Sequence, residues 1–448
     1  MHLFRVAALR KQEADREILR LALPALGALV AEPLFLLADT AIVGRLGTPE
    51  LAGLGIAATV LGTLVNLSIF LAYGTTAAVA RMLGAGDLRG ALRQGIDGCW
   101  LAVLIGVATL AAGLPLTSWI VSLFGPAPDV AAHAETYLRI SLAGIPAMLL
   151  VLAATGVLRG LQDTRTPLAV AATGAAVNVP LNLLLVHVAG LGIAGSAIGT
   201  VAVQIAMATV FLVIVRRGAH EHGASMRPYW PGVRSSFGAG IPLLIRTLAM
   251  RVALVVTTLV ATALGTAPLA AHQIVFNTWL LLALVLDAVA IAAQALVGRA
   301  LGAGDVTAAR SITRRMVQWG VLAGIVLGLL LLAGGPVYAR LFTSDVEVRA
   351  LVVSALVVAA AIQPIAGWVF VLDGVLIGAG DGRYLAWASA ASVAVFLPAA
   401  WAVSALEWSD RAGLVALWLA IGVWTVARLV TLAVREHGDA WLVTGSRR

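Results

Sequence analysis

Charged side chains make up only 12% of this 448-residue sequence, about half of what a soluble globular domain carries. So few cannot cover a water-facing surface, and a soluble fold is excluded. Cysteine is close to absent. Cys99 stands alone inside an apolar stretch, which rules out intramolecular disulfides and clusters of thiolate metal ligands. Catalytic signatures are missing as well: the apolar stretches hold no His and carboxylate pair at ligand spacing, no nucleophile elbow and no phosphate loop. The Gly-Ala-Gly segments follow no strand and precede neither Lys-Ser nor Lys-Thr, so they are not nucleotide motifs. With loops too short for a soluble catalytic or sensory domain, an enzyme or receptor is not expected.

What the chain has in abundance is apolar surface. Hydrophobic residues make up 61% and the mean hydropathy is +0.99, as expected of an all-α integral membrane protein. Stretches near or above the ~20 residues needed to cross a bilayer core fall at 18–43, 52–80, 93–115, 135–157, 167–187 and 191–215. A second set falls at 236–264, 268–298, 316–337, 350–376, 385–405 and 412–433. Twelve transmembrane helices are predicted, six in each half.

The halves are copies. Leu-Gly-Ala-Gly-Asp occurs at 83–87 and again at 301–305, and the same offset of 218 residues aligns Pro24 with Pro242, Arg81 with Arg299 and Pro146 with Pro364. Gly156, Gly160, Asp163 and Arg165 likewise meet Gly374, Gly378, Asp381 and Arg383. A constant offset held through apolar and loop segments alike marks an internal repeat. An even number of spans per copy means that both enter from the same side, so two parallel six-helix lobes related by a pseudo-two-fold axis along the membrane normal are expected. Their predicted limits are 1–215 and 234–448, joined by a cytoplasmic linker at 216–233 in which His220 and His222 read as solvated loop residues. The repeated pentapeptide itself reads as a tight turn whose acid pairs with a nearby Arg.

Basic residues fix the expected orientation. Of thirty, all but Lys11 are Arg. Twenty-three fall on the side of the termini, and Arg45, Arg340, Arg349 and Arg411 fall opposite. Both termini are therefore expected in the cytoplasm of a multi-pass protein of the plasma (cytoplasmic) membrane. The net charge of +8 is spread over short loops without interleaved aromatics, so it reports topology and no nucleic-acid partner. The basic first twenty residues lack a small-residue cleavage pattern, and the first span is expected to be retained.

Ionisable groups within apolar spans cost at least ~2.5 kcal/mol each on insertion scales and ask for a reason. Asp39 lies about one turn below the outer end of span 1. Asn178 and Asn182 share a face of span 5, and Ser196 and Thr200 share one at matching depth on span 6. These five can converge. One carboxylate, two amides and two hydroxyls form an all-oxygen set suited to a proton or a small hard cation, without the ligands a transition metal favours. The shifted partners of Asp39, Asn178, Asn182 and Thr200 are Thr257, Phe396, Ala400 and Trp418, so the set belongs to the first half alone. Pro24 and Pro33 remove backbone donors from span 1 and invite a bend. In the second half Arg246, Arg251, Asp287 and Asp373 sum to zero and read either as buried ion pairs or, with Asn277, as candidates for a substrate cavity. Asp97, near the start of span 3, reads as an acid that either snorkels or pairs with a loop.

The segments Glu32-Pro33-Leu34 and Asp39-Thr40-Ala41-Ile42-Val43-Gly44-Arg45-Leu46-Gly47 together with the paired Leu-Gly-Ala-Gly-Asp turns resemble the MATE (multidrug and toxic compound extrusion) family, DinF-like branch. So do Leu269-Ala270-Ala271-His272-Gln273-Ile274 and Asp373-Gly374-Val375-Leu376-Ile377-Gly378-Ala379-Gly380-Asp381, and the resemblance covers essentially the whole chain. It implies two lobes forming a V around a central cavity and export of cationic or amphipathic small molecules against protons or sodium ions. It further implies Asp39 as the coupling acid, Asn178 and Thr200 as its polar partners, Pro24 as the bending point and Ser196 as a small-residue contact. Where some relatives carry a second acid one turn after the first asparagine, this chain has Asn182. A proton neutralises a single carboxylate completely, whereas a sodium ion at Asp39, Asn178, Asn182 and Thr200 would lose a charged ligand, so proton coupling is expected with sodium as the alternative. No cofactor beyond the coupling ion is expected, and a monomer in the lipid bilayer is. The alternative activity is a lipid or lipid-linked saccharide flippase, a related two-lobe design in which cationic residues line the cavity.

Overall fold

The computed structural model describes the backbone of residues 2–446 and the side chains of 13–446. Arg5, Arg10, Lys11, Arg447 and Arg448, counted above among the basic residues, lie outside the described side chains. All regular structure among the described residues is helical. In chain order come α1 (His2–Val43), α2 (Thr48–Ser68), α3 (Phe70–Gly84), α4 (Leu88–Ser122), α5 (Pro128–Leu142), α6 (Ile145–Gly160) and α7 (Arg165–Leu183), which runs on into a π turn (Leu184–Val188). Then follow α8 (Gly192–Glu221), α9 (Trp230–Leu264), α10 (Thr266–Gly302), α11 (Val306–Phe342), α12 (Val346–Gly378), α13 (Gly382–Ala405) and α14 (Asp410–His437).

Among the described residues eleven spans, with α2 and α3 joined as one, are long and apolar enough to cross a membrane. The pair α5 and α6, bent by 51°, makes a twelfth. The bend falls at Ala143 and Gly144, ahead of Pro146, whose ring removes a donor and disfavours helix in the residue before it. Its shifted counterpart Pro364 lies within the unbroken α12, where Ile362 replaces Gly144. Proline alone therefore does not break the span.

Two compact units emerge, one of Leu23–Gly240 and one of Ile241–Ser446 together with the segment ending at Ala22. Both limits differ from the expected 1–215 and 234–448. The early segment joins the later unit through ion pairs: Arg315 donates to both Asp15 oxygens at 2.7 Å, Trp319 Nε1 donates to Asp15 at 2.8 Å, and Arg299 pairs with Glu17 at 2.8 Å. The expected linker 216–233 shrinks to 222–229, because nothing stops α8 before Gly223, which takes the left-handed conformation (φ 65°) that ends helices. The start of α9 is fastened to α4. Asp97 accepts from the Tyr229 amide at 3.0 Å, Trp100 donates to the Met226 carbonyl at 3.0 Å, and Gln94 donates to Ser236 at 2.9 Å. Asp97 thus pairs with a loop, the second of the two roles read from the sequence.

The repeat reappears as repeated contacts. Gly156 and Gly160 of α6 lie against the carbonyls of Ala72 and Thr76 on α3, and Gly374 and Gly378 of α12 lie against those of Ala290 and Gln294 on α10. All four contacts are related by the 218-residue shift. Without a hydrophobic force between helices in lipid, close backbone approach at small residues supplies the packing energy. The two pentapeptides form matching turns, with Gly86 at φ 77° and Gly304 at φ 78°. Asp87 accepts from the Gly90 amide and Asp305 from the Ala308 amide, each at 2.7 Å. The acid therefore caps the next helix instead of pairing with an Arg, since an N-cap carboxylate satisfies an otherwise orphaned amide.

A Cβ at Gly374 would lie 2.3 Å from the Ala290 carbonyl oxygen, whereas one at Gly62 meets nothing within 4 Å. Gly374→Leu is expected to destabilise the protein by ~3 kcal/mol or more, and Gly62→Leu to leave it unchanged. The monodisperse fraction on size-exclusion chromatography in detergent, with thermal melting, checks both.

Candidate ion-coupling site

Within the Leu23–Gly240 unit, α1, α5, α7 and α8 close around one carboxylate. Asp39 is 1% exposed, and Asn178, Asn182 and Ser196 are fully buried. Tyr137 Oη donates to Asp39 Oδ2 at 2.9 Å, Asn182 Nδ2 donates to Oδ1 at 3.1 Å, and Ser196 Oγ also donates to Oδ1. A second layer orients the first. Asn178 Oδ1 accepts from Asn182 at 3.1 Å, while Asn178 Nδ2 donates to Thr200 Oγ1 at 3.4 Å. The structure thus brings together all five residues read from the sequence as one set.

Local backbone explains how they meet. The i, i+4 spacing puts both asparagines on one face of α7, and directly after Asn182 the helix widens into the π turn, a distortion common at functional sites. On α8 Gly199 leaves room for the amide: a Cβ there would sit 2.0 Å from Asn182 Oδ1. No basic side chain pairs with Asp39 among the described residues. Three donors satisfy the carboxylate, but its charge is uncompensated in an apolar bundle, a costly state that binding a proton or cation relieves.

Tyr137 was missed. It is a polar-tipped residue in an apolar span whose shifted partner is Ala355, so the asymmetry that singled out Asp39 could have found it too. The equivalent place in the other unit is an apolar core: Ala355, Phe396, Ala400, Leu414 and Trp418, the counterparts of Tyr137, Asn178, Asn182, Ser196 and Thr200, belong to one buried cluster. Thr257, the counterpart of Asp39, donates only within its own helix, to the Leu254 carbonyl at 2.7 Å.

Of the substrate-cavity candidates, Asp373 and Arg246 meet. Asp373 is buried and accepts from Arg246 at 2.9 Å and from Arg428, whose guanidinium lies over the Trp424 ring. Arg428, one of the basic residues counted above on the side of the termini, completes this buried ion triad. Asp287 and Arg251 are half-buried, and Asn277 is exposed. Pro24 lies inside α1, two residues beyond the point where that helix passes from one unit to the other.

Apolar helices of spanning length around a sealed, unpaired acid define a multi-pass membrane protein with a polar centre in one of two repeated units. The MatE family model matches residues 24–184 and again 242–401, two copies whose starts are 218 residues apart. The chain belongs to this family, whose members are transporters for the efflux of drugs and toxic compounds. It is 32% identical to "Protein DETOXIFICATION 44, chloroplastic" of Arabidopsis thaliana over 94% of this chain and 81% of that one. It is 28% identical to "DNA damage-inducible protein F" of Escherichia coli (strain K12) over 95% and 93%. The solved Vibrio cholerae MATE transporter VcmN in its bent form superposes with a TM-score of 0.87 at 19% identity, over 96% of this chain and 99% of that one, which is a likeness of fold.

Gly199→Ala is expected to push Asn182 off Asp39 while leaving the helices intact. Loss of one hydrogen bond to a charged group, worth ~1.5–3 kcal/mol, would lower transport by roughly ten- to a hundredfold with unchanged circular dichroism. Wild-type transport by this variant would show that Asn182 does not need its present position.

Proposed function

We propose that this protein is a secondary antiporter that exports cationic or amphipathic small molecules in exchange for protons, with Asp39 as the coupling acid. The observation that carries the reading is a single carboxylate, 1% exposed, with no cationic partner among the described residues and with donors from three helices.

Those donors explain how a proton on Asp39 is felt elsewhere. The ionised carboxylate accepts from Tyr137, Asn182 and Ser196 at once. Once protonated, the carboxyl must itself donate, so a hydroxyl beside it, Ser196 on α8 or Tyr137 on α5, turns from donor to acceptor. Asn182 loses the charge that aligns it, and its bonds to Asn178, and through it to Thr200, loosen. A titration on α1 is thereby converted into altered contacts with α5, α7 and α8. α1 can respond by bending because Pro24 and Pro33 leave the carbonyls one turn before them without intrahelical partners. The alternation of access that an antiporter needs then follows from the two hydrogen-bonding patterns of one acid.

Proton coupling is favoured over sodium by the direction of the donors. Asn182 presents its nitrogen to Asp39, and a sodium ion would require it to present its oxygen and to displace the hydroxyl hydrogens. The flippase reading finds less support, since it calls for cations lining a cavity and Arg246, one of the arginines within the spans of the second half, is engaged with Asp373. The site residues, the coupling ion, a plasma-membrane location with both termini cytoplasmic, and a monomeric state all belong to this proposal.

Reconstituted in liposomes, the protein should expel a fluorescent cationic substrate when driven by a pH gradient and not by a sodium gradient of equal size. Asp39→Asn should abolish that export with normal folding. Undiminished export by Asp39→Asn sinks the proposal, export on sodium alone replaces the ion, and movement of a labelled lipid without any gradient favours the flippase.

A further inference from the structure

We propose that the distal end of α8 is a binding site for an anionic phospholipid, its phosphodiester held by Arg216 and Arg217. A cavity of about 340 Å³ lies there, lined by Val213, Arg216, Arg217, His220 and Glu221. Two guanidinium groups, one imidazole and one carboxylate thus face one space. None of the four makes a hydrogen bond or ion pair through its side chain among the described residues. Arg217 and Glu221 stand four residues apart on a helix, the spacing at which opposite charges ordinarily pair, yet they do not.

The internal repeat shows that this is a choice of the first copy. The counterpart of Arg217 is Arg435, which donates to Asp381 at 2.7 Å, and the counterpart of Glu221 is Asp439, bonded by Arg310. The counterpart of Arg216 is Val434. In the later unit the same helix end has its charges committed to internal ion pairs, and in the earlier unit they are left facing a cavity. A planar guanidinium with parallel N–H groups matches the oxygens of a phosphate.

Location favours a lipid over a soluble anion. The cavity opens where α8 leaves its apolar stretch, and Val210, Leu212 and Val213 just before it are exposed apolar residues, placed to lie against acyl chains while the arginines reach the headgroup level. Glu221 in the same lining opposes an anion, so it limits affinity and permits exchange with surrounding lipid. That gives the proposal a sign that mere acyl-chain contact lacks.

The full-length protein, purified in detergent and stripped of lipid, would be titrated with phosphatidylglycerol, with phosphatidylcholine of the same acyl chains, and with inorganic phosphate, bound stoichiometry being read by native mass spectrometry. Phosphatidylglycerol should bind at least several-fold tighter than phosphatidylcholine. Arg216→Gln with Arg217→Gln should weaken it roughly tenfold or more, and Glu221→Gln should tighten it several-fold. The control pair Arg227→Gln with Arg234→Gln, equal in charge lost but at positions that do not line the cavity, should leave it unchanged. Equal binding of the two lipids, an unchanged affinity in the Arg216 and Arg217 variant, weaker or unaltered binding in Glu221→Gln, or displacement of the lipid by equimolar phosphate overturns the proposal. Should the double variant fail to fold, Glu221→Gln decides alone.

Discussion

An ionised carboxylate within an apolar helix bundle has to be hydrogen-bonded on every side or neutralised, and this constraint organises the Leu23–Gly240 unit. Asp39 draws a donor from each of α5, α7 and α8. Tyr137 reaches Asp39 from the middle of α5. Asn182 needs a neighbour without a side chain, which Gly199 provides. Asn178 and Thr200 then hold Asn182 in place. The features of this unit that look irregular, its bent span and its π turn, are adjacent in sequence to the residues that hold the acid.

The later unit shows what the same architecture does without that constraint. Phe396, Leu414 and Trp418 fill the equivalent place with packed apolar side chains, α12 runs through its proline unbroken, and the buried acids Asp373 and Asp381 are neutralised, the first by Arg246 and Arg428 and the second by Arg435. A buried ion pair adds little net stability over an apolar core of the same volume, but it silences the charge. One copy of the repeat thus keeps its acid unpaired and the other pairs it.

Much of this was legible in the sequence, because a repeat is a comparison that needs no second protein. Apolar length placed the spans, the 218-residue offset related the two sets, and comparing the copies showed that Asp39 and its polar partners belong to the first alone. What stayed hidden depended on side-chain reach and on helix ends. Tyr137 reads as one more aromatic in an apolar span until its hydroxyl is seen to reach Asp39. Arg428, counted with the basic residues on the side of the termini, reaches Asp373. Asp15 and Glu17 read as part of a basic amino-terminal segment, and their attachment to Arg315 and Arg299 links residues some three hundred positions apart, which no local pattern encodes.

That attachment bears on how α1 can work. The helix is continuous from His2 to Val43, yet its first part is tied by ion pairs and an indole N–H to the later unit, while its last part carries Asp39 into the centre of the earlier one. Pro24 falls just past the change of allegiance, at a point where a missing backbone hydrogen bond makes bending cheap. A helix held at one end and titrated at the other has to take up any change of contacts at its weakest link. On the reading proposed above, the protonation state of Asp39 would be passed along α1 towards Pro24, with the ion pairs of Asp15 and Glu17 as the fixed end of that helix.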